Sequence, residues 1–126
     1  MASKVLIVEA DQEFRLHLAK MLSRRDFLVM AVGDADEALD LVVKEGIKAI
    51  LLGLSGLRRQ ALEFLKRVGE QSPGSRVVLI NRAGDVSLSI EAMKLGAFGE
   101  VNLPVDLERL ESKIRACLED DSAGMS

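Results

Sequence analysis

The chain has no tryptophan and no tyrosine, a single cysteine, a single histidine and two prolines. Without Trp or Tyr, only four Phe remain as large rings. A flavin would find little to stack on, and the core falls to Leu, Val, Ile, Met and Ala. A lone Cys117 can form no internal disulfide and no cysteine-based zinc site. It suits a reducing cytoplasm. Apolar runs such as Val5–Val8 and Ala49–Leu52 are far too short to span a bilayer, and no membrane partner is expected. The opening MASKVLIVEA lacks the pattern of a secretory signal. Basic residues number 17 against 20 acidic ones, for a net charge of −3, and they are scattered. That excludes the concentrated basic footprint of a nucleic-acid binder.

What is present is a globular composition of 126 residues, 48% hydrophobic and 29% charged, sized for one domain. Apolar segments alternate with amphipathic ones five times. Lys4–Val8, Leu28–Val32, Ala49–Leu52, Val77–Ile80 and Phe98–Asn102 read as strands. Gln12–Arg25 reads as a helix with Phe14, Leu18, Met21 and Leu22 on one face. Asp34 opens the next, with Glu37 three residues on, and Gly46 closes it. Arg59–Glu70 is built on Leu62, Leu65 and Val68. Asp85–Leu95 is expected to turn Val86, Ile90 and Met93 inward. Asp106–Leu118 carries Leu107, Leu110, Ile114, Cys117 and Leu118 on one stripe. The expectation is an α/β fold, a (βα)5 doubly wound parallel sheet covered on both faces. Residues 1–118 form the domain and 119–126 a polar tail. Functional groups of such sheets gather beyond the carboxyl ends of the strands. The residues there are Glu9-Ala10-Asp11, Gly53, Asn81-Arg82 and Leu103-Pro104.

The stretches KVLIVEAD, ILLGL, LEFLKRV and GDVSLSIEAMKLGAFGEVNLPVDLERL resemble response-regulator receiver domains. The likeness runs from Lys4 to about Cys117. It implies a flavodoxin-like sheet of strand order 2-1-3-4-5. It also implies a site that takes a phosphoryl group from a histidine kinase onto an aspartate ending the third strand. That position is Gly53 here, which has no side chain. Of the family's paired metal-binding acids, the first is Glu9 and the second Ala10. The hydroxyl residue after the fourth strand is Asn81, the lysine before the proline is Leu103, and the switch aromatic is Glu100. Phosphoryl transfer needs positioning and charge neutralisation by a nucleophile, a metal and a cation. These positions supply almost none of them, so no metal, no cofactor and no enzyme activity are expected. The peptide before Pro104 is expected in cis, as in the family. The removal of carboxylates is expected to leave an apolar, metal-free pocket.

The remaining candidates have plain readings beside sharp ones. His17 is an ordinary helix residue before it is a phosphoacceptor. Asp11 caps the first helix before it serves as a metal ligand. Cys117 is a buried apolar residue. No His or Lys stands at a spacing from Ser55 or Ser87 that implies nucleophilic catalysis. Arg58, Arg59 and Arg82 are solvated charge, or else an anion site or an acidic partner's docking patch. Gly53-Leu54-Ser55-Gly56 is expected to be a mobile lip.

The preferred function is a non-phosphorylatable receiver that works by binding a protein of a signalling pathway. The candidates are a kinase, an output domain or a second copy of itself, met through the fourth helix, fifth strand and fifth helix, with Glu100 on that face. The alternatives are a phosphorelay receiver with an altered acceptor site and a small-ligand-binding flavodoxin-like module. Partner and pathway cannot be read from the sequence.

Overall fold

The computed structural model describes residues 2–82, 84–102 and 106–119. Five parallel strands lie in the order β2-β1-β3-β4-β5, as expected. They are β1 (Ser3–Val8), β2 (Phe27–Val32), β3 (Ala49–Gly53), β4 (Arg76–Asn81) and β5 (Gly99–Asn102). The helices are α1 (Gln12–Ser23), α2 (Ala35–Glu45), α3 (Leu54–Leu57), α4 (Arg59–Gln71), α5 (Val86–Lys94) and α6 (Leu107–Glu119). No described helix is long and apolar enough to cross a membrane.

The central strand β3, AILLG, is buried along its whole length, because helices cover both faces of the sheet. Alternate strand residues divide between two apolar clusters. Leu6, Val8, Ile50, Leu52 and Leu79 pack with Ala38 and Val42 of α2, Phe64 and Leu65 of α4, and Leu88 and Ala92 of α5. Val5, Ile7, Leu51, Val78 and Ile80 pack with Leu18 and Leu22 of α1 and Leu110, Ile114 and Cys117 of α6.

The caps follow the sequence. Asp11 accepts from Phe14 N–H at 3.2 Å, and Asp34 accepts from Asp36 N–H at 2.9 Å. Gly46 ends α2 at φ 61°, where glycine carries no Cβ penalty.

Two expectations fail. The segment after Gly53, expected as an irregular lip, forms the short helix α3 with Leu54 and Leu57 buried. It meets α4 at Arg58, whose φ is 50°. On α5 the buried residues are Leu88 and Ala92, while Val86 is 68% and Ile90 50% exposed and Met93 is also exposed. The apolar spacing on that helix marks a real face, but one turned to solvent. Leu103 and Pro104, with the expected cis peptide, lie outside the described residues, as does the tail after Glu119.

Candidate functional site

The carboxyl ends of β1, β3 and β4 bring Glu9, Gly53 and Asn81 together, as the topology requires. Glu9 is 3% exposed. Its Oε2 accepts from Asp11 N–H at 2.9 Å, and its backbone carbonyl accepts from the Arg15 guanidinium at 2.7 Å. The carboxylate lies over Gly53. A Cβ placed on Gly53 would stand 2.9 Å from Glu9 Cδ and closer still to Oε1. The space that an acceptor side chain would need is already taken. The methylene that distinguishes Glu from Asp carries the carboxylate into that volume, and the expected apolar hole is filled by an acid. A second close fit lies beside it. A Cβ on Gly56 would stand 2.8 Å from Ala10 Cβ, so α3 closes down on Ala10.

Both oxygens of Asp11 already have partners. Its Oδ1 caps α1, and its Oδ2 accepts from Arg82 at 2.9 Å. The hydrogen bond from Arg82, helped by that from Phe14 N–H, holds its carboxyl below the usual aspartate range. Arg82 is fixed further by lying over the Phe14 ring, 4.3 Å from its centre. Mg²⁺ needs oxygen ligands in near-ideal octahedral geometry. Ala10 and Gly53 offer no side-chain oxygen, Asp11 is engaged, and Glu9 is turned onto Gly53. The residues present do not fit the metal. Among the described residues, no cluster of three or more His, Cys, Asp or Glu could hold one.

Asn81 is 3% exposed and fully used. Its Oδ1 accepts from Asp85 N–H at 3.2 Å, and its Nδ2 donates to the Asp85 carbonyl at 3.0 Å. These two bonds fix the orientation of the amide. Nδ2 also donates to Glu100 Oε2 at 3.3 Å, and the Ser89 hydroxyl donates to Glu100 Oε1. Asp85 in turn caps α5 through Leu88 N–H at 3.0 Å. Thus α5 is pinned to β4 at its cap and to β5 one turn later. Sequence reasoning misses Ser89. Its only signal is a hydroxyl on the helix that precedes an acid in a strand position suited to an aromatic.

Arg58 lies 3.6 Å from Asp85 Oδ2, so Arg58 and Arg82 are both held by acids of the same molecule. Arg59 is exposed at a small cleft between α4 and α5, with Leu62, Leu88 and Glu91. His17 and Ser87 are exposed on their helices, and Cys117 is buried. None of these joins the site.

The family model for the response regulator receiver domain matches residues 5–115. Sporulation initiation phosphotransferase F of Bacillus subtilis is 25% identical over 94% of this sequence and 95% of its own length. The two-component response regulator PhoP of Pseudomonas aeruginosa is 30% identical over 94% of this sequence but only 53% of its own. The protein therefore spans nearly all of one relative and about half of another. A receiver domain protein from Clostridium thermocellum superposes with a TM-score of 0.87 at 19% identity, over 96% of this protein and 98% of that one. The beryllofluoride-activated NtrC4 receiver domain dimer gives 0.82 at 23%, over 93% and 97%.

Proposed function

Because the chain belongs to the response-regulator receiver domain family, we propose that it is a receiver that takes no phosphoryl group and acts in two-component signalling by binding protein. The observation that carries this reading is the Glu9 carboxylate seated where the side chain of residue 53 would be. A nucleophile is missing, its space is occupied, and no metal ligands remain to screen an incoming phosphoryl group. The reaction has neither acceptor nor charge compensation, so the protein is no enzyme and no phosphoacceptor. A cytoplasmic location belongs to the same proposal, on the strength of the lone thiol and the family.

The binding surface we propose is the face of α5, β5 and α6. Val86, Ile90 and Met93 recur at i, i+4 and i+7 and are exposed, an apolar stripe of the kind that marks a contact site. In a switching receiver, a ligand shifts the population of such a face by binding one state better. Here Asn81, Glu100 and Ser89 tie α5 down without any ligand, so the face is held in one arrangement. The partner is a kinase, an output domain or another copy.

The test is exposure of the full-length protein to a small phosphodonor with Mg²⁺, read by intact mass. The expected result is no phosphoryl adduct, where an active receiver treated alongside gains one. An adduct that requires Mg²⁺ would favour the rival reading of a phosphorelay receiver with a relocated acceptor.

A further inference from the structure

Among the described residues, two besides the glycines take a positive φ, Asp26 at 67° and Arg58 at 50°. Aspartate tolerates this because its short side chain bonds locally. Arginine does not. With ψ at −113°, Arg58 also lies outside the left-handed helical well, in the region that type II′ turns give to glycine. Such a residue stores strain and persists only where its surroundings over-determine it.

Arg58 is the single residue between α3 and α4, and it serves both. Its N–H donates to the Leu54 carbonyl at 2.7 Å, closing α3, and its carbonyl accepts from Ala61 N–H at 3.0 Å, opening α4. The two helices are unequally anchored. α4 is fixed by buried Ala61, Phe64, Leu65 and Val68, whereas α3 is one turn held by Leu54 and Leu57. The strain therefore acts on α3. The side chain of Arg58 offers little in return. It is 64% exposed, and its guanidinium stands 3.6 Å from Asp85 Oδ2. A loose surface ion pair contributes less than such a backbone costs. Asp85 does not depend on it, because Asn81 and Leu88 N–H already hold it.

We infer that α3 is a flap over the Glu9–Gly53 site, hinged at Arg58 and pushed toward opening by the strain stored there. The cover that α3 provides is close. A Cβ on Gly56 would stand 2.8 Å from Ala10 Cβ and 3.8 Å from Glu9 Oε2. Breaking the one bond from Arg58 N–H to the Leu54 carbonyl lets residue 58 return to an ordinary backbone and lifts Gly56 off Ala10. Asp85 keeps its bonds to Asn81 and Leu88, so α5 does not follow. The closed site thus has a minor open state whose population one residue sets. This inference goes beyond the proposed function and holds whether or not the protein takes a phosphoryl group.

The test compares the full-length protein with Arg58→Gly and Arg58→Ala by thermal unfolding and by methyl relaxation dispersion, which reports opening on the microsecond-to-millisecond scale. Glycine takes this backbone without strain, while alanine keeps the strain and removes only the guanidinium. The thermal midpoint of Arg58→Gly should lie above that of Arg58→Ala, the reverse of the order at an ordinary position. In the unaltered protein, the methyls of Ala10, Leu54 and Leu57 should report one shared minor state, absent from Leu65 and Val68 of α4 and Leu88 of α5. Arg58→Gly should lower its population by about threefold or more. Asp85→Asn, which keeps the cap and loses the ion pair, should leave it nearly unchanged. A midpoint for Arg58→Ala above that of Arg58→Gly would overturn the inference. So would methyls of Ala10, Leu54 and Leu57 that report no minor state, or one that Arg58→Gly leaves as populated as before. Should Arg58→Ala fold poorly, dispersion in the unaltered protein and Arg58→Gly decides alone.

Discussion

Glu9 and Gly53 form a matched pair, and each residue makes sense only beside the other. Gly53→Ala should therefore destabilise the protein by about 1 kcal/mol, the low end of the overpacking scale, because the atoms in its way are the far end of the Glu9 side chain. In a Glu9→Ala background the same change should be nearly harmless. Denaturant unfolding of the two single variants and the double variant gives the coupling, expected above about 0.5 kcal/mol. Additive losses would show that the two side chains do not compete for one space. Gly53→Asp adds charge to the steric conflict. Its carboxyl would sit against Glu9 with no screening cation, so its folded pKa should rise above the unfolded value of about 3.9. The unfolded state then ionises more readily, and the penalty grows as pH climbs past about 4. For the same reason, Ala10→Asp, Gly53→Asp, Asn81→Thr and Leu103→Lys together should not make a working site while Glu9 keeps its length. Adding Glu9→Asp should be required before a small donor phosphorylates the protein. Asp11 behaves in the opposite sense. Arg82 and Phe14 N–H depress its folded pKa, so its contribution is present at neutral pH and is lost as pH falls below about 4 through the folded value. Asp11→Asn should lower the thermal midpoint at pH 7 and much less at pH 3. An equal loss at both would mean that the ion pair contributes nothing. At this scale the family resemblance implies which positions depart from the pattern, but not that Glu9 lies over residue 53. Whether one extra methylene reaches across to a neighbouring strand is a matter of packing, to which spacing is blind.

Among the elements, strands and long helices are legible because burial on both faces forces continuous apolar runs, and one-sided burial forces the helical period. The four-residue α3 is not, since a single turn has no period to detect. The stripe on α5 is visible in the sequence, but its direction is not. Val86, Ile90 and Met93 mark an apolar face as well as any core set does. Only the tie from Ser89 to Glu100 and the burial of Leu88 and Ala92 fix the helix's rotation. Two outcomes follow for this helix. Ile90→Lys should change stability by less than about 0.5 kcal/mol, as exposed substitutions do, while abolishing capture of any partner that uses this face. Glu100→Ala should release α5, seen as faster amide exchange over residues 86–94. Glu100→Gln should keep part of the protection, because its carbonyl can still accept from Asn81 while its amide donates to the Ser89 hydroxyl. Equal exchange in all three proteins would deny Glu100 its positioning role.

For the molecule as a whole, the two apolar clusters and the sheet order are those of a receiver, and the fivefold alternation announces them. The polar end of the sheet has been rebuilt around internal bonds. Glu9 to Asp11, Asp11 to Arg82, Arg58 to Asp85, and Asn81 to Asp85 and Glu100 satisfy one another without a ligand. On the proposed reading, a site so closed gains nothing from a metal or a phosphoryl group, and a ligand with no preference between states shifts nothing. The most direct measurement of this is an amide-resolved NMR titration of the full-length protein with Mg²⁺ and then beryllofluoride. The account predicts no saturable shift at Glu9, Gly53, Asn81 or along α5. Saturable shifts at those residues, spreading to Val86–Lys94, would contradict it and return the protein to the switching receivers.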